Sequence, residues 1–208
     1  MNRPKITIVD YGVGNTFSVS NALEFLGYKK LKISDQAAAI AEADVLILPG
    51  VGAFDEAARN LRARHLDQIL GEHVLVKKKP ILGICVGMQL LATDSEENGL
   101  HEGLGWIPGR IKKLDLPRTF AVPHVGWNDV AFKNPHSTLC WKGEQGHFYF
   151  DHTYWFDCAQ DHVAATCDYG MRLTAAVQKD HIAGVQFHPE KSQTSGLKLF
   201  RKFLNSVH

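Results

Sequence analysis

The sequence predicts an α/β fold: an open, mixed and mostly parallel sheet flanked by helices, with antiparallel hairpins added in the C-terminal half. Three observations predict it. In the first half, short β-rich apolar runs alternate with stretches of helical periodicity, the order that builds a parallel sheet. After about Gly103 the runs are separated by Gly, Pro, Asn and Asp, as in hairpins. Apolar residues make up 45% of the 208 and charged residues 22%, which is enough to fill a core and too apolar for disorder.

The elements follow in order. Strands are expected at 6–9, 31–33, 45–48 and 81–84, and helices at 18–26, 36–43, 55–70 and from 87 onward. Gly27 supplies a C-terminal cap for the first helix, and Pro80 opens the fourth strand where a missing N–H is tolerated. Strands at 110–114, 122–127, 147–156, 174–177 and 182–187 supply the added hairpins. A final helix over 196–207 places Leu197, Phe200, Phe203 and Leu204 on one face, which should pack on the sheet. No internal repeat or low-complexity linker divides the chain, so one domain over 1–208 is the simplest organisation.

Charge and cysteine usage exclude several classes. Lys+Arg 23 against Asp+Glu 22 gives 23 − 22 = +1, without the basic surplus of a phosphate-backbone binder. The N-terminus turns polar too soon for a signal peptide, and no window resembles a membrane span, so a cytoplasmic protein is expected. Cys85, Cys140, Cys158 and Cys167 match no zinc spacing and no dense disulfide framework. The eleven histidines contain no ligand pair, and neither metal nor cofactor is expected.

The sharpest local signal is Gly83-Ile84-Cys85-Val86-Gly87, between an apolar strand and a helical pattern. G-x-C-x-G at a strand-to-helix turn is the thiol form of a nucleophile elbow. The turn holds the nucleophile outward from the sheet, small neighbours let strand and helix approach, and the helix N-terminus suits an anionic nucleophile. An isolated cysteine at a strand end is more often a small core residue; the two flanking glycines favour the catalytic reading. A thiol nucleophile needs a base and an orienting group, distant in sequence and near in space. His188 and Glu190, in Gly184-Val185-Gln186-Phe187-His188-Pro189-Glu190, can project to one side of a strand end, the imidazole taking the proton and the carboxylate fixing its tautomer.

Acyl transfer also needs oxyanion donors. The Val86 amide, next to the nucleophile, is one. The glycine-containing loop after the third strand, 48–54, lies at the same carboxyl edge, where its backbone can aim another N–H inward. The stretch at 10–15, DYGVGN, is not a dinucleotide fingerprint, because Phe17 stands where the third glycine belongs. Lys77-Lys78-Lys79 reads as solvated surface. Trp127, Tyr149 and Trp155 serve either as core or as interface anchors.

LPGVGAF at 48–54, GICVGMQLL at 83–91 and GVQFHPEKSQ at 184–193 together resemble the class I glutamine amidotransferases. DYGVGN at 10–15, SEENGL at 95–100, PHVGWN at 123–128, the Tyr149 to Tyr154 segment and DYG at 168–170 narrow the resemblance to the histidine-biosynthesis branch of that family. It covers nearly the whole chain and implies a flavodoxin-like fold. It implies a catalytic triad of Cys85, His188 and Glu190, with Gly52 and Val86 at the oxyanion. It places Gly50, Gln89, Glu96, His152, Thr153 and Tyr154 in the glutamine pocket, and Asn15, Trp127 and Tyr149 on a docking face. The implied partner is a cyclase subunit with a (β/α)8 barrel, joined as a heterodimer and fed with ammonia from glutamine. Two alternatives share the motifs: a paralogue feeding another synthase, such as one that amidinates surface sugars, and a docking-only allosteric subunit.

Overall fold

The computed structural model describes residues 3–133, 137–139 and 145–206; His136, Cys140 and Val207 lie outside them. The first half runs β1 (Ile6–Val9), α1 (Thr16–Phe25), β2 (Leu31–Ser34), α2 (Ala37–Glu42), β3 (Val45–Gly50), α3 (Phe54–Ala63), α4 (Leu66–Gly71), a π turn (Glu72–Val76), β4 (Ile81–Cys85) and α5 (Val86–Gln89). The second half adds β5 (Asp94–Ser95), β6 (His101–Glu102), β7 (Gly109–Lys113), β8 (His124–Phe132), β9 (Gln145–His152), β10 (Tyr154–Cys158), β11 (Val163–Tyr169), β12 (Met171–Lys179), β13 (Ile182–Val185) and α6 (Gln193–Ser206).

Among the described residues, nine strands form one mixed sheet in the order β2-β1-β3-β4-β13-β12-β11-β8-β9. The first five are parallel and the last four join antiparallel. Every residue of β1, β3, β4 and β13 is buried, as parallel strands covered on both faces require. Helix α1 packs with α6, while α2 and α3 pack with α4, so two groups of helices flank the sheet. The Asn15 side chain caps α1 by accepting from the Ser18 N–H, and Gly27, at φ +83°, turns the chain out of it. In α6, Leu199, Phe200, Phe203 and Leu204 are buried, and each phenylalanine stabilises the packing by roughly 1.5–3 kcal/mol. A smaller sheet, β10-β7-β5-β6, stands beside the large one.

The structure departs from the sequence reading in several places, among them β5, β6 and β11, strands that were not expected. The helix expected over 55–70 is two helices, because His65 takes a left-handed conformation at φ 56°. The helix expected from 87 onward lasts one turn. The Leu90 carbonyl accepts from Leu104, and that of Leu91 from Trp106 and Ile107, so the backbone is claimed by another segment instead of a continuing helix. The strand expected over 147–156 divides at Thr153 into β9 of the large sheet and β10 of the small one. The strand expected over 182–187 is more than a hairpin arm. Its core, β13, pairs antiparallel with β12 and parallel with β4, so it is the fifth strand of the parallel core.

Candidate active site

Strands β3, β4 and β13 are neighbours, and their registers set Gly50 opposite Cys85 and Ile84 opposite Val185. Three carboxyl ends therefore lie side by side, and the chains leaving them converge at the edge where open α/β sheets hold ligands. The buried Tyr11 hydroxyl donates to the Pro49 carbonyl at 2.8 Å and anchors the carboxyl end of β3. Gly52 in the loop after β3 has φ +87°, a conformation a side chain would strain.

Cys85 ends β4 at φ 54° and ψ −114°, outside the ordinary regions for an L-residue. Such strain costs on the order of 1–3 kcal/mol and persists because the surroundings enforce it. The flanking glycines let them do so. A Cβ on Gly83 would sit 2.6 Å from the Gly87 carbonyl oxygen, and one on Gly87 would overlap the carbonyl of Leu48. Cys85 is 4% exposed, its sulfur 4.0 Å from the Asp151 carbonyl oxygen and 3.8 Å from the Gln186 side-chain nitrogen. The N–H of Val86, first in α5, stands next to it at the helix start.

His188 reaches the thiol from β13's exit. Its Nδ1 donates to Glu190 Oε1 at 2.8 Å, with both side chains buried. The carboxylate fixes the tautomer and leaves Nε2 for Cys85. The His188 backbone is held at both ends: its N–H donates to the Tyr149 carbonyl at 2.9 Å, and its own carbonyl accepts from the Ser192 hydroxyl at 2.6 Å. Burial pulls the imidazole down, but bonds and charges from Cys85 and Glu190 outweigh it and push His188 up to about 10.

A cleft of about 250 Å³ opens over this cluster, lined among others by Gly52, Val86, Gln89, Thr153, Tyr154 and Lys191. Cys85, His188 and His152 also line it, so most of the residues expected at the site meet there. Two do not. Gly50 lies beneath the cleft, where an added Cβ would press on the Gly87 amide and the Tyr11 hydroxyl. Glu96 is exposed, and its carboxylate accepts from the Lys113 N–H at 2.7 Å. Glu97 takes its place in the wall and accepts from the Phe54 N–H at 2.9 Å, at the start of a helix whose own cap residue makes no side-chain bond. Strand alternation turns Ser95 inward and Glu96 outward before the chain bends, which is why the neighbouring carboxylate reaches the cleft. Burial raises the Glu97 carboxyl above its ordinary value.

Gln89 is committed within the wall. Its amide donates to the Tyr154 carbonyl at 3.2 Å and to Gln186 Oε1 at 3.0 Å, so only its own carbonyl oxygen remains for a ligand. Gln186 and Glu97 are the residues that sequence reasoning missed. The signal for Gln186 was present, a polar residue inside the apolar run that ends at His188; Glu97 beside Glu96 carried none. Outside the cleft, Trp127 is 42% exposed and stacks on His147, with ring centroids 5.4 Å apart, and meets Tyr149 edge-on. Lys191 lies over the Tyr149 ring at 5.6 Å. No helix among the described residues is long and apolar enough to cross a membrane.

Residues 7–207 match the family model described as glutamine amidotransferase class-I. A curated protein of Vibrio vulnificus, named imidazole glycerol phosphate synthase subunit HisH 2, is 45% identical over 203 residues, 98% of this chain and 95% of its own. The Bacillus subtilis protein named imidazole glycerol phosphate synthase subunit HisH is 44% identical over 204 residues, covering 95% of this chain and 94% of its own. Among solved structures, one described as a glutamine amidotransferase superposes with a TM-score of 0.76 at 20% identity, covering 98% of both chains. PurLQS from Thermotoga maritima superposes with a TM-score of 0.72 at 20% identity over the whole of both chains. These structural likenesses bear on the fold.

Proposed function

The chain belongs to the class I glutamine amidotransferase family, and on that premise we propose that it is the glutaminase subunit of an imidazole glycerol phosphate synthase. The observation that carries the reading is the Cys85, His188 and Glu190 set at the sheet's carboxyl edge. That set stands in a chain alignable over nearly its whole length with subunits of that synthase.

The chemistry is acyl transfer. The Cys85 thiolate adds to the side-chain carbonyl carbon of glutamine, and the oxyanion is met by the Val86 N–H and a backbone N–H of the loop at Gly52. The C–N bond breaks as the His188 imidazolium gives its proton to the departing nitrogen, which leaves as ammonia from a Cys85 thioester. Water then adds to the thioester while His188 takes its proton, and the C–S bond breaks to give glutamate and the thiolate. Glu190 keeps His188 in the one tautomer that serves both steps. Thr153 and Tyr154 shape the pocket around the substrate's chain, and the Glu97 carboxylate faces its ammonium.

Ammonia is mostly protonated in neutral water and is then no nucleophile, so it must pass to its acceptor through a protected route. The acceptor in this reading is a cyclase subunit with a (β/α)8 barrel, paired with this chain as a heterodimer. Supporting a docking face around the cleft are the exposure of Val51 and Trp127 and the Tyr149–Lys191 contact that continues from the cleft wall. Asn15 sits at the same carboxyl edge, its side-chain oxygen already committed to the helix cap. An electrophilic glutamine analogue offered to the assembled, liganded complex tests the reading. It should modify Cys85 in a glutamine-protected manner; modification elsewhere only, or none, contradicts it.

A further inference from the structure

Two sequence segments, PHVGWN and DYG, reach the cleft only at Pro123, yet they build a partly buried assembly behind it. His124 faces His152 across the β8–β9 pair, and their rings are joined from Nδ1 to Nε2 at 2.9 Å. The other nitrogen of His152 lies 2.8 Å from the Tyr154 carbonyl oxygen. A carbonyl can only accept, so His152 carries its proton on Nδ1 and its Nε2 accepts. His124 must therefore be the donor through Nδ1, which leaves its Nε2 to accept from the Asn128 amide at 3.4 Å. That amide also donates to the Asp168 carbonyl at 3.0 Å. His124 is held between aromatic rings, stacked on Tyr169 with centroids 3.9 Å apart and on Phe150 at 4.7 Å.

We propose that His124 is a positioning residue for glutamine hydrolysis: by donating to Nε2 it holds the plane of His152, whose tautomer the Tyr154 carbonyl sets, and through that ring the cleft wall from Asp151 to Tyr154. Both ring nitrogens of His152 are consumed inside the protein, so it offers the substrate no ring hydrogen bond. Its work is to hold the Tyr154 carbonyl, which Gln89 also grips, beside the Asp151 carbonyl that meets the Cys85 sulfur. Burial keeps both rings neutral, His124 near 4 and His152 near 3, so His152 adds no positive charge opposite the imidazolium of His188. The kinetic consequence rests on the glutaminase reading; the tautomer assignment does not.

The test compares His124→Leu, which removes the donor, with His124→Asn, whose amide nitrogen can stand where Nδ1 stood. Nitrogen-resolved histidine spectra, assigned with a His152→Asn variant, report the His152 tautomer and the hydrogen bond at its Nε2, and the assembled complex reports KM and kcat for glutamine. Wild type and His124→Asn should show His152 protonated at Nδ1. In His124→Leu the Nδ1 proton should stay while the Nε2 resonance moves to that of a nitrogen without a donor, with KM raised about tenfold and kcat within about twofold. A leucine variant with the wild-type Nε2 resonance and KM overturns the proposal, as does an asparagine variant no better than leucine. If the leucine variant does not fold, His124→Gln replaces it, because its amide reaches the wrong ring position, and the same outcomes apply. If no variant or wild type releases glutamate, the glutaminase reading falls and the Nε2 resonance alone decides this one.

Discussion

His188 Nδ1 stands 2.8 Å from Glu190 Oε1, two residues along the chain, with both groups shut away from water. The spacing is local, but the geometry depends on the turn after His188, where Pro189 to Lys191 forms a single 3-10 turn that folds the carboxylate back under the ring. Replacing Glu190 with Gln keeps the shape and lets the ring turn to the wrong tautomer. Glutaminase kcat is expected to fall by on the order of 10²–10⁴ with little change in KM. Steady-state kinetics on the complex measure it, and a loss under tenfold would remove Glu190 from its role.

The raised His188 fixes the sign of a pH effect. A free histidine titrates near 6.5, so between there and about 10 the folded state holds a proton that the unfolded chain has lost. The stabilisation from this group is therefore complete below about 6.5 and is lost as pH rises through about 10. Thermal unfolding of wild type and His188→Asn across this range should show a Tm gap that is widest at the acid end and narrows toward pH 10. A gap that widens with pH contradicts the assignment.

Glu97, and not Glu96, faces the cleft. Glu97→Gln removes the charge that would meet the ammonium of glutamine, and KM should rise about ten- to a hundredfold while kcat holds. Glu96→Gln should leave both near wild type. Equal effects from the two variants would place the ammonium elsewhere.

Gly87→Ala drives a methyl group into the Leu48 carbonyl. The strand, the helix turn or both must shift, at a cost of about 1–3 kcal/mol in stability. Denaturant unfolding measures that loss, and the same variant should react slowly at Cys85. Wild-type stability and reactivity together would mean the packing at the elbow is looser than the structure has it.

Legibility in the sequence followed the range of the interaction. The parallel strands were readable because β1, β3 and β4 are buried on both faces and so read as unbroken apolar runs. The elbow at Cys85 was readable because its glycines and helix start are adjacent in the chain. What could not be read was set by distant partners. The helix after Gly87 stops at one turn because residues 104–107 take its carbonyls, and β13 looked like a hairpin arm because its parallel pairing with β4 spans about a hundred residues. Glu97 and Gln186 owe their places to Phe54 and Gln89, which no local pattern announces.

In the glutaminase reading proposed above, Cys85 releases ammonia from glutamine for a cyclase partner. Its most direct test is glutamate release by this chain mixed with a cyclase subunit and that subunit's phosphoribulosyl ligand, for wild type and Cys85→Ala side by side. Wild type should release glutamate, faster with the liganded partner than alone, and Cys85→Ala should fall to background. Equal release from the two would contradict the account.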